Sequence, residues 1–164
     1  IINPNDKNAL EVALRIKDTG GAEVIAVAVG KPRVDDALRE AMALGADAAY
    51  LLTDEALAQT DAAGAAKALA KAIEKIGDFD LIITGQETLD TGDAQLGPWL
   101  AEYFGIAQVT NVREATVSDG ALRAKRDWGT GYSEVEAAPP VGPRLRRQRE
   151  APVGRLLAPV EVEP

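Results

Sequence analysis

Val24-Ile25-Ala26-Val27-Ala28-Val29 is the feature that most constrains this chain. All six residues are apolar and small or β-branched, with no polar position alternating between them. A strand with one wet face alternates; a strand without alternation is buried on both faces, as in a parallel sheet covered by helices. The surrounding segments fit that frame. Asn3-Pro4-Asn5-Asp6 is a turn and cap cluster, and Ala9, Leu10, Val12, Ala13, Leu14 and Ile16 then give a helical apolar face ended by Gly20-Gly21. After the strand, Gly30-Lys31-Pro32 breaks the chain, and Val34 to Leu44 forms an amphipathic helix stopped by Gly45. Ala48 to Leu52 is a second strand, Asp61 to Ile76 an alanine-rich helix, and Leu81 to Thr84 a third strand. Gly85 to Asp93 is a polar loop, Ala94 to Phe104 a further helix, and Ala107 to Val112 a fourth strand.

Short connections and regular alternation predict an α/β domain: an open, mostly parallel sheet with helices on both faces, of the Rossmann-like, adenine-nucleotide-binding kind. A helix stands first, whereas such folds normally open on a strand, so one strand is expected before Ile1. Glu114 to Ser118 and Leu122 to Arg126 flank Asp119-Gly120, the signal of an antiparallel hairpin, with Tyr132 to Glu136 as a further antiparallel strand. This gives a domain over 1–137. Residues 138–164 carry Arg144, Arg146, Arg147, Arg149 and repeated prolines without a period, and read as an irregular tail.

Composition narrows the chemistry. Cysteine and histidine counts are both 0 among 164 residues, which removes disulfides, thiol nucleophiles, imidazole bases and most zinc sites. The formal net charge is -8 and aromatics are 4%, so neither a phosphate-tracking basic surface nor a base-stacking platform for nucleic acid is expected. No apolar run approaches the roughly 20 residues of a membrane helix, so no direct membrane insertion is expected, and a cytoplasmic location is the default.

The loop from Thr84 to Pro98 leaves the carboxyl end of a parallel strand and enters a helix, the edge where open α/β sheets bind ligands. Gly85 and Gly92 permit close backbone approach, and Asp93-Ala94-Gln95-Leu96 offers N–H groups at a helix start, which suit a phosphate. Asp93 is equally a plain N-cap. The loop matches neither the P-loop nor the Gly-x-Gly-x-x-Gly fingerprint. Glu87, Asp90 and Asp93 could serve acid–base work or magnesium, but a solvated acidic loop is the simpler reading. Asn3 is either a second ligand contact or the cap of its helix. Val27 and Val29 can offer backbone groups to an adenine edge, while their side chains read as core. Trp128 and Tyr132 read as packing residues.

These segments together resemble the beta subunit family of electron transfer flavoproteins. Asn3-Pro4-x-Asp6-x-x-Ala9-Leu10-Glu11 resembles its Asn-Pro helix start, and Ala37 to Asp47 its Ala-x-Gly-Ala-Asp helix ending. Asp78 to Gly85 and Asp90 to Pro98 resemble its nucleotide loop, and Ala124-Lys125-Arg126 to Tyr132 its Val-Glu-Arg hairpin. The likeness runs in order over residues 1 to 137. The loop differs in one respect: the family's Asp-Gly-Asp-Thr stands here as Asp90-Thr91-Gly92-Asp93.

The resemblance implies a subunit that is not itself catalytic. It would hold AMP, or a second FAD in electron-bifurcating members, and pair with an alpha subunit whose FAD lies between the two. Acyl-CoA or other dehydrogenases would donate electrons, and a quinone oxidoreductase or similar enzyme would accept them. The nucleotide-binding positions carried over are Asn3, Val27, Val29, Asp90, Asp93, Ala94, Gln95 and Leu96. An adenine-nucleotide sensor or an ATP-using enzyme of the same architecture is the alternative, although no cationic side chain lies between Gly85 and Gly97 to assist phosphoryl transfer. The tail lacks the family's continuation. Codons for Arg147 to Pro152 read one nucleotide later can spell Val-Asn-Glu-Lys-Pro-Arg, close to the absent motif, so an out-of-frame origin is expected for it.

Overall fold

In the computed structural model, residues 2–57, 60–88 and 92–137 are described in full and residues 155–159 by their backbone. The elements are α1 (Pro4–Gly20), β1 (Glu23–Val29), α2 (Asp35–Leu44), β2 (Ala48–Leu52), α3 (Ala62–Ile76), β3 (Leu81–Ile82), α4 (Leu96–Phe104), β4 (Val112–Ser118), β5 (Ala121–Asp127), β6 (Tyr132–Ala137) and β7 (Arg155–Pro159). They form a four-stranded parallel sheet in the order β2-β1-β7-β3 and a three-stranded antiparallel sheet in the order β4-β5-β6.

β1 divides the core as its composition requires. Val24, Ala26 and Ala28 pack with Leu10, Ala13 and Ile16 of α1 and with Ala37, Leu38 and Ala41 of α2. Ile25 and Val27 point the other way and pack with Leu69, Ala70 and Ile73 of α3, Phe79, and Leu100 of α4. Helices therefore cover both faces of the parallel sheet. The small residues at 26 and 28 let α1 and α2 approach closely, and the larger Ile25 fills the space under α3. Helix ends follow the glycines: Gly21 has φ 70° and its N–H bonds Lys17 O, and Gly105 closes α4 with φ 63°.

At the amino end of the sheet Asp47 ties three elements together. Its carboxylate accepts the Val24 N–H at 2.8 Å and the Lys17 Nζ at 2.7 Å, and its own N–H bonds Val24 O at 2.8 Å. The Lys17 ammonium, first, and the Val24 N–H hold this carboxyl below its ordinary range.

The structure departs from the sequence expectation in three places. Ala107 to Val112 forms no fourth parallel strand; Asn111 adopts a left-handed φ of 55°, and a strand begins only at Val112, antiparallel to β5. β3 is two residues long rather than four. A strand, β7, lies within the segment read as an irregular tail, and it runs between β1 and β3, parallel to both. Local pattern cannot announce such a strand, because its partners lie more than seventy residues away in sequence. Trp128 and Tyr132 are exposed rather than packed: Arg126 lies over the Trp128 ring at 4.1 Å and Lys125 over the Tyr132 ring at 4.1 Å. No helix among the described residues is long and apolar enough to cross a membrane.

Candidate functional site

The loop between β3 and α4 stands at the carboxyl edge of the parallel sheet and is anchored there by α1. Asn3 caps α1: its Oδ1 accepts the Asn5 N–H at 2.9 Å. The same side chain turns its amide outward along the loop, with Nδ2 donating to Glu87 O at 3.1 Å, and Asn5 Nδ2 reaches the same carbonyl at 3.3 Å. Asp6, 2% exposed, accepts the Gly85 N–H on Oδ1 at 3.0 Å. The first turn of α1 thus grips the loop at 85 and again at 87. Only glycine fits at 85, since a Cβ there would overlap the Asp6 carboxylate and crowd its backbone nitrogen.

The far end of the loop is also fixed. Gly92 N–H bonds both the carbonyl and the hydroxyl of Thr88, at 3.2 and 3.1 Å. Gly97 abuts the Thr84 side chain, whose Oγ1 lies 3.0 Å from where a Cβ at 97 would be. The start of α4 therefore lies against Thr84, two residues past the end of β3.

α4 begins at Leu96, two residues later than the sequence pattern placed it. Ala94 has φ 48°, a left-handed conformation that interrupts the helix, and the Asp93 carboxylate accepts the Gln95 N–H at 3.3 Å instead of capping the first turn. The N-cap is Gln95, whose side chain accepts the Trp99 Nε1–H at 3.3 Å. Pro98 has no N–H and Trp99 N–H bonds Gln95 O, so Leu96 and Gly97 are the residues whose N–H groups have no acceptor within the helix. Ala94 and Gln95 are exposed and Asp93 is half-buried beside them.

Of the positions singled out from sequence, Asn3, Asp93, Ala94, Gln95 and Leu96 border this loop. Asp90 lies outside the described residues. Val27 is fully buried and sits inside the ladder, in register with Tyr50 on one side and Pro159 on the other. Val29 is half-buried and pairs with Leu52, two residues past the last described pairing with β7. Among the described residues no group of three or more acidic side chains is placed to hold a metal ion. Asp6 and Asn5 escaped the sequence analysis as site residues, because an acid and an amide in a first helical turn are ordinary capping residues; the signal lies only in their long-range partners.

Three features of the arrangement suit a phosphorylated nucleotide: a glycine-containing turn, a helix start whose first N–H groups have no acceptor within the helix, and a sheet edge beside them. Residues 1–141 match the family model described as the electron transfer flavoprotein domain. The chain belongs to this family. It is 46% identical over 141 residues to the electron transfer flavoprotein subunit beta of Thermoanaerobacterium thermosaccharolyticum, covering 86% of this chain and 54% of that protein. It is 43% identical over 141 residues, with the same coverage, to the subunit beta of Clostridium acetobutylicum. Identity to the caffeyl-CoA reductase-Etf complex subunit CarD of Acetobacterium woodii is 38% over 141 residues, covering 85% of this chain and 54% of that protein. The chain spans about half the length of these relatives.

Proposed function

We propose that the chain is the nucleotide-holding part of an electron transfer flavoprotein beta subunit, a carrier component that makes and breaks no bonds itself. The observation that carries this reading is the α4 start, with the N–H groups of Leu96 and Gly97 unclaimed within the helix, beside Thr84 just past β3. Kinship with beta subunits supports it.

The ligand is AMP or FAD. Its phosphate would be held by Asp93, Ala94, Gln95 and Leu96, with Asp90 from the same stretch of sequence, because backbone N–H groups and the positive end of α4 favour an anion. The backbone groups of Val27 and Val29 would meet the adenine edge, and Asn3 would bond the ribose or the phosphate. A bound flavin supplies reversible electron uptake; the residues here orient it and shield it from water. An alpha subunit completes the assembly and shares its FAD, acyl-CoA or other dehydrogenases deliver electrons, and a quinone oxidoreductase or other acceptor receives them, with the subunit itself in the cytoplasm. Mass spectrometry of the small molecules released from the denatured, purified chain is expected to find AMP or FAD. Release of ATP together with turnover to ADP contradicts the reading.

A further inference from the structure

We propose that Asp6 is a positioning residue for the β3–α4 loop. Its buried carboxylate holds the Gly85 amide, so that α1, which contributes no group to the phosphate turn, sets the loop geometry on which nucleotide affinity depends. This rests on the reading given under Proposed function.

Asp6 is one of two polar residues buried among the described ones; the other is Asn3, three residues away. A carboxylate is costly to bury unless hydrogen-bonded, and this one meets the backbone N–H of a residue 79 positions later. The bond falls on Gly85, three residues past Ile82, where the chain leaves the sheet. Asn3 and Asn5 hold the carbonyl of Glu87 two residues on. Gly85 admits no side chain because Asp6 fills the space beside it. The grip therefore fixes both the direction in which the loop departs and the identity of its first residue. From Thr88 the next fixed points are Gly92 and Gly97, the latter against Thr84. An error in direction at 85 is carried to the turn at 93–96. Charge-assisted hydrogen bonds to backbone N–H groups are strong enough to serve this purpose.

The test uses the full 164-residue chain, with two readouts: amide hydrogen exchange followed peptide by peptide, and AMP and FAD affinity by calorimetry. Asp6→Ala is expected to speed exchange across 84–88 while leaving β1 protected, and to weaken nucleotide binding about tenfold, the equivalent of one such bond. Asp6→Asn keeps an oxygen acceptor for Gly85 and is expected to recover most of both. The proposal is overturned if Asp6→Ala leaves exchange in 84–88 unchanged, if exchange rises equally in β1, or if Asp6→Asn behaves as Asp6→Ala. Should Asp6→Ala not fold, Gly85→Ala decides the matter, since a Cβ at 85 displaces the Asp6 carboxylate. It should loosen 84–88 while β1 stays protected and weaken binding about tenfold, and no change at either readout overturns the proposal. If the unaltered chain binds neither AMP nor FAD, the proposed function fails, while the exchange data still decide the grip of Asp6 on Gly85.

Discussion

Two strand-to-helix connections leave the same edge of the parallel sheet, and they differ in what fills them. The one after β1 runs from Gly30 to Val34 and is filled by its own side chain: Val34 is buried and its Cγ2 lies 2.7 Å from where a Cβ at Gly30 would be, while the Gly30 N–H continues the ladder to Leu52 O of β2 at 3.0 Å. The one after β3 runs from Gly85 to Gln95 and is held from outside, by Asn3, Asn5 and Asp6 of α1. The first connection caps the core with its own side chain. The second is braced by a neighbouring element, α1. A glycine at the start of a loop is thus no sign of a site; what matters is whether the space beside it is taken by the loop itself or by a neighbouring element that fixes it.

The largest effect is expected from removing what joins the two connections. β7 pairs with β1 and with β3, so a chain ending at Ala137 leaves both facing edges unpaired. Buried unpaired backbone groups cost about 1–3 kcal/mol each, and total stability is roughly 5–15 kcal/mol. Loss of a cooperative transition in urea is expected, and an unchanged midpoint would show that β7 contributes nothing to the sheet.

Next come the paired substitutions Gly85→Ala and Gly30→Ala. Each forces an overpacked contact costing about 1–3 kcal/mol, measurable by denaturant melts. Only Gly85→Ala should weaken AMP or FAD binding, by about tenfold or more; equal loss in both would erase the contrast between the connections.

Ala94→Gly relieves the left-handed φ of 48° and should raise stability by about 1 kcal/mol. It should also loosen the 93–96 turn slightly, seen as a small rise in the Kd for AMP.

Asp47→Asn gives the smallest effect, about 0.5–1 kcal/mol, at the sheet end away from both connections, with nucleotide affinity unchanged. Because the folded carboxyl is held below its unfolded value of about 3.9, the contribution is fully present above that value and is lost as pH falls through the lowered folded value. The stability difference between the two proteins should therefore shrink in acid.

Much of the fold was legible in the sequence. The unbroken run at 24–29 demanded cover on two faces, and the structure supplies α1 and α2 on one and α3 and α4 on the other. The Asp119-Gly120 turn and the alternating strands beside it gave the antiparallel sheet. What escaped was non-local or conformational. β7 is defined by partners distant in sequence. The missing strand at 107–112 and the late start of α4 both turn on single left-handed residues, Asn111 and Ala94, which no apolar period encodes. At the candidate site, the sequence singled out Asn3 and residues 93–96, and what it did not show was the support: an aspartate in the first turn of a helix gives no hint that it grips a glycine 79 residues away.

The most direct test of the central claim is the map of backbone amide shifts when AMP is titrated into the isotopically labelled chain. The account predicts the largest changes at Gly85 and at Asp93 to Gly97, with Gly30 to Val34 responding less. No saturable change, or changes centred on the groove lined by Leu38, Met42 and Leu51 beside β2, would contradict it.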